Sequence, residues 1–138
     1  MIPVDQEFIH RPDEGQHGDC FRAVLASLME LPLQDVPHFL HDGCSSDTFH
    51  RRINAFLDQF NMTLLVFDAS TFNISAWIDQ SGVRDLWHEV SGMTERGVLH
   101  SCVGHNGHVV HDPHPSKAGL IDVQYYSLLV SINPKVQR

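Results

Sequence analysis

Cys20 lies in Gly18-Asp19-Cys20-Phe21-Arg22-Ala23-Val24-Leu25, where turn residues give way to helical periodicity and a thiol falls on the first turn. First-turn N–H groups have no partner inside a helix, and with the macrodipole they stabilise an anion. The position therefore predicts a lowered thiol pKa and a nucleophilic thiolate, with Asp19 as N-cap by residue type. Further along, His100 and Asp112 flank Asn106-Gly107, which between two apolar runs signals a β-hairpin. With a three-residue loop at 105–107, Gly104 pairs with His108 and His100 lies opposite Asp112; a two- or four-residue loop shifts the register by one and leaves them neighbours. A carboxylate that orients an imidazole, together with an activated thiol, is the set that performs nucleophilic acyl transfer. The expected roles are Cys20 as nucleophile, His100 as general base and then acid, and Asp112 as orienter. On this expectation iodoacetamide at mildly acidic pH labels Cys20 faster than Cys44 or Cys102, and His100→Ala slows that labelling while His111→Ala does not.

Competing readings use the remaining histidines, of eleven in all. His111 is the rival imidazole, but on a strand it points to the face opposite its neighbour Asp112. His105, His108, His111 and His114 recur every third residue, yet Asn106-Gly107, two valines and Pro113 argue against the helix that would align them. His38, His41 and Cys44 repeat similarly, and Asp42-Gly43 breaks the helix they need, so no metal site is assigned. Cys102 shares the His100 face by alternation, where it belongs to the core or lines the site. His88-Glu89 reads as an ordinary strand pair and Arg51-Arg52 as a solvated helix face.

These residues must be carried by a helical half, about 18–60, and a sheet half, about 62–132. A central helix is expected at about 20–31, ended by Pro32, then a short helix over Leu33 to Leu40 interrupted by Pro37. Ser46 or Asp47 caps a third helix at about 48–60 with Phe49, Ile53, Phe56, Leu57 and Phe60 on one face. Met62 to Phe67 suits a buried strand, and strands follow at about Asp85–Ser91, Gly97–Val103, His108–Asp112 and Gln124–Ile132. The stretch 69–84, anchored by Trp77, has no assignment. Helices followed by an antiparallel meander predict an α+β fold with a cleft between the halves.

Composition agrees: 138 residues, 42% hydrophobic and 19% charged, fit one domain over 1–138. A formal charge of −8 gives no basic footprint for nucleic acid or an anionic membrane, and no apolar run is long enough to span a bilayer. Three irregularly spaced cysteines and no signal-peptide pattern point to a reduced, cytoplasmic setting.

Gly18-x-Cys20-Phe21, with His100 entering a strand and Asp112-Pro113 after the hairpin, resembles the papain-like cysteine peptidases, most closely their C39-like branch. Leu31-Pro32-Leu33-Gln34-Asp35-Val36-Pro37 and His111-Asp112-Pro113-His114-Pro115-Ser116 also resemble a set of small uncharacterised phage and bacterial proteins of that fold. The resemblance implies a thiol hydrolase of peptide, amide or isopeptide bonds, with a protein or peptide substrate and no cofactor. It also implies an oxyanion-hole glutamine six residues before the cysteine, where this chain has Glu14. Gln6 is favoured for that role, with Gln16 as the alternate. The alternatives are a catalytically weak or silent interaction module on the same scaffold and a zinc-stabilised structural domain.

Overall fold

Ala23, Val24, Leu25, Ala26 and Ser27 are all buried, so small and aliphatic side chains surround a helix that other elements enclose on several sides. This helix, α1, spans Cys20–Met29 and stops where Glu30 takes a left-handed φ of 56° ahead of Pro32. The computed structural model describes residues 1–132; residues 133–138 of the expected domain lie outside the described part. The helix expected over 33–40 is only a single 3-10 turn at Leu33–Asp35. Pro37 bars helical geometry at the preceding residue, and Val36 is extended at φ −111° and ψ 127°.

Helix α2 spans Ser46–Asp58 and its cap is Ser45, whose side chain accepts from the Thr48 N–H, one residue earlier than expected. Its Ile53, Phe56 and Leu57 are buried with Leu25, Ala26, Val36 and Phe39, while Phe60 lies past the helix end and is exposed. Arg52 is not a solvated charge: its guanidinium holds both oxygens of Asp42 at 2.9 Å and the Phe39 carbonyl at 3.0 Å. The unassigned stretch contains α3, Ile74–Ser81, between an Asn73 cap and a left-handed Gly82. Ile74 is its buried anchor, whereas Trp77 is exposed.

Five strands, β1 (Met62–Asp68), β2 (Trp87–Met93), β3 (Leu99–His105), β4 (His108–His111) and β5 (Asp122–Ser131), form one antiparallel sheet. Their order is β1-β5-β2-β3-β4, so the meander holds only for β2 to β4, and β5 returns to lie between β1 and β2. β1 is an edge strand in this order, and its Leu65 and Val66 are exposed instead of buried. The chain is thus α+β, three α-helices and a five-stranded antiparallel sheet among the described residues. Among the described residues no helix is long and apolar enough to cross a membrane.

The site hairpin turns on two residues, Asn106 at φ 51° and Gly107 at φ 89°, between His105 and its partner His108. A bulge between Val103 and Gly104 then pairs Val103 with His111. Carried one step further, this register sets Asp112 beside Cys102 and diagonal to His100, not directly across from it.

Candidate active site

The diagonal suffices. The His100 Nε2–H donates to Asp112 Oδ1 at 2.6 Å, and both side chains are almost wholly buried. Asp112 also accepts the His114 N–H at 2.9 Å on Oδ1 and the Gly119 N–H at 2.8 Å on Oδ2. Burial pushes this carboxyl up, but these hydrogen bonds outweigh it and hold it below the usual carboxylate range. Burial lowers His100 despite Asp112, so the resting pair is a carboxylate and a neutral imidazole. An ionised Asp112 can only accept, which places the ring proton on Nε2 and leaves Nδ1 as the basic nitrogen.

Cys20 and His100 line the same two adjoining cavities, of about 560 and 520 Å³, between α1 and the sheet. The expected thiolate is not what this setting produces. Burial pushes the Cys20 thiol up to about 11; the Ser101 and Phe21 N–H groups pull it down, and Glu89 and Asp19 push it further up. The correction is physical: the first helical turn aims one donor, the Phe21 N–H, at the sulfur and β3 adds the Ser101 N–H, but desolvation and nearby carboxyls outweigh them. Accordingly, alkylation by iodoacetamide, which develops no oxyanion, is expected to have no acidic shoulder. Its rate at Cys20 should climb about tenfold per pH unit from pH 7 to 10, followed by mass spectrometry of the labelled peptide. A plateau reached below pH 7 would restore the low-pKa thiolate.

Asp19 holds the N-cap position, its carbonyl accepting the Ala23 N–H at 3.1 Å, but its side chain makes no capping hydrogen bond to α1. Its buried carboxylate turns toward the N-terminal segment, accepting the Glu7 N–H at 3.0 Å and the Phe8 N–H at 2.8 Å on Oδ1, with Arg22 at 3.2 Å on Oδ2. Two consequences follow. The first N–H groups of α1 stay uncapped where the thiol sits, and segment 5–8 is tied alongside the site. Gln6 thereby enters the wall of the second cavity with Cys20 and His100. One of its amide hydrogens goes to the Phe8 carbonyl at 2.7 Å, and its buried Oε1 has no hydrogen-bond partner. Gln16 is held away, its amide on the Ile9 carbonyl at 2.7 Å, and it lines neither cavity.

His114 packs its ring edge-on against His100, with centroids 5.9 Å apart, and His10 joins it in the wall of the second cavity, while the histidines weighed as rival base or metal ligands make other contacts. His111 donates through Nε2 to the Val4 carbonyl at 2.9 Å, which pins the N-terminal segment and removes it as a rival base. His38 donates to the His17 carbonyl at 2.9 Å, and Cys44 points to the Phe39 carbonyl, so the His38, His41 and Cys44 set does not converge. Among the described residues the one group whose atoms gather as metal ligands do is His100, Cys102 and Asp112, within 4.8 Å of one another. Its closest pair stands at 2.6 Å, shorter than the roughly 3.3 Å between two ligands of a tetrahedral zinc, so it is a proton-bridged pair.

Glu89 is the residue that sequence reasoning missed. It is 2% exposed, lines the larger cavity with Cys20, and accepts the Ser101 hydroxyl on Oε1 at 3.1 Å. Burial pushes its carboxyl up to about 7 against the nearby hydroxyls of Ser127, Ser91 and Ser101. Its polar neighbours, Ser91, Ser101 and Ser127, stand on three different strands, so the sequence carries no local signal for it. No family model, curated protein or solved structure matches the chain.

Proposed function

We propose that this protein is a cysteine-dependent hydrolase of amide, peptide or isopeptide bonds, built in the manner of the papain-like, C39-like enzymes it resembles. The observation that carries the reading is the 2.6 Å His100–Asp112 pair, whose His100 lines the two cavities that Cys20 also lines. With the thiol pushed up to about 11 and the imidazole lowered, the pair starts neutral and the proton moves during attack. Cys20 gives its proton to His100 Nδ1 as sulfur bonds to the substrate carbonyl carbon. The uncapped first-turn N–H groups of α1 and the second amide hydrogen of Gln6 receive the oxyanion. His100 then protonates the leaving amine as the C–N bond breaks, leaving a thioester on Cys20. Water, deprotonated by His100, attacks that thioester and releases the acid with the thiol restored.

The test is acylation by p-nitrophenyl acetate at pH 7, with the acetylated peptides identified by mass spectrometry. The expected product is a hydroxylamine-labile acetyl group on Cys20, with p-nitrophenol released in a burst that Cys20→Ala abolishes. Acetylation spread evenly over Cys20 and Cys44, or a burst that survives Cys20→Ala, would overturn the reading.

A further inference from the structure

Glu89 Oε2 is buried and makes no hydrogen bond within bonding geometry among the described residues, although the Ser91 and Ser127 hydroxyls stand near the carboxyl and draw its pKa down. An under-satisfied carboxyl oxygen in a protein interior is costly, and a donor that arrives from outside relieves that cost. Here the oxygen belongs to a side chain in the wall of the roughly 560 Å³ cavity that also contains the Cys20 thiol. Among the described residues no cation meets it. Arg22 lines the same cavity, but its guanidinium is held by the Val36 carbonyl at 2.7 Å and by Glu7 and Asp19 at 3.2 Å each. His38 is committed to the His17 carbonyl and His50 to the Ser46 carbonyl. The cavity walls are apolar at Phe49, Leu64, Val66 and Tyr125. A pocket with greasy sides and one unpaired carboxyl matches an aliphatic stem carrying a charged donor.

Resting on the reading of Cys20 as nucleophile, we propose that this cavity receives a cationic side chain of the substrate, a lysine or arginine flanking the cleaved bond, with Glu89 Oε2 as its acceptor. The cation also answers an electrostatic problem of the site. Glu89 otherwise opposes formation of the thiolate, and an ammonium or guanidinium against it cancels that opposition as the bond is attacked.

The test compares the p-nitrophenyl esters of 6-aminohexanoic acid and hexanoic acid as acylating agents of Cys20. It is run at pH 8 on the full chain, with each rate divided by that ester's hydrolysis in buffer. The wild type is expected to prefer the amino ester by about tenfold or more, the scale of one hydrogen bond between charged groups. In Glu89→Gln the ratio is expected to fall to about one, with a urea midpoint at pH 8 no lower than wild type, because the buried carboxyl is penalised when ionised. Equal normalised rates in the wild type, or a preference that survives Glu89→Gln, would overturn the assignment of Glu89 while leaving the nucleophile standing. Acylation of Cys20 by neither ester would overturn both.

Discussion

At pH 7, His100→Ala is expected to slow acylation of Cys20 by about three orders of magnitude, the scale of a lost general base. The reasoning runs through the thiol. With its pKa pushed up to about 11, Cys20 is ionised to about one part in ten thousand at pH 7. Attack in the wild type therefore depends on proton transfer to His100 Nδ1, and without that nitrogen only the trace of thiolate reacts. The pH profile separates this from a structural injury. In the wild type the acylation rate is expected to fall off only as His100 protonates, below the ordinary 6.5 because burial lowers it, and to be level above. In His100→Ala it should instead rise about tenfold per pH unit toward pH 10, so that the two profiles converge in alkali. His100→Gln guards against misfolding, since its amide can still donate to Asp112 but cannot act as a base. Asp112→Asn is expected to cost about as much, because an amide NH2 facing Nε2 moves the ring proton to Nδ1, the nitrogen that must act as base. A His100→Ala rate within threefold of wild type at pH 7 would remove His100 from the mechanism.

The three residues of this prediction were legible in the sequence because each has a local signature: a thiol at a helix start, and a histidine and an aspartate on either side of Asn-Gly. Their meeting survived a wrong register, since the bulge at Val103/Gly104 moved Asp112 along β4's continuation by less than a side chain's reach. What the sequence did not disclose depends on contacts between distant segments. β5 slips between β1 and β2, so Ser127 comes beside Glu89, and a strand residue that reads as ordinary becomes a buried acid facing the thiol. The elevated pKa of Cys20 has the same origin, because desolvation is set by the sheet packed over α1, not by its helical position. Helix α3 was missed for a different reason. Its boundaries, Asn73 and Gly82, are ordinary cap residues, but Trp77 drew attention as an anchor although Ile74 is the residue buried.

Asp19 sits at the N-cap of α1 as expected, but its side chain serves the N-terminal segment instead of the helix, which makes it a sensitive position for stability. Its side chain is fully buried and accepts the Glu7 and Phe8 N–H groups together with the Arg22 guanidinium. Asp19→Ala leaves two backbone donors and a largely buried arginine short of an acceptor. The expected cost is roughly 3–5 kcal/mol, the range for removing one member of a buried charge pair, or roughly 10–20 °C in Tm. Asp19→Asn separates the parts of that cost. An amide oxygen in the place of Oδ1 keeps both backbone donors and forfeits only Arg22, so about 1–3 kcal/mol is expected. Urea unfolding followed by circular dichroism gives both values, and near-equal losses for the two variants would show that Arg22, not the backbone, is what Asp19 holds. A loss below about 1 kcal/mol in Asp19→Ala would show that the carboxylate is not a staple at all. Local release should accompany global weakening. With segment 5–8 untied, Gln6 leaves the cavity wall, so the folded Asp19→Asn protein is expected to acylate Cys20 near the wild-type rate while Asp19→Ala is slower even well below its Tm. On the proposed mechanism, Asp19 thus acts on the chemistry at a distance, by fixing the segment that carries Gln6, the proposed oxyanion donor.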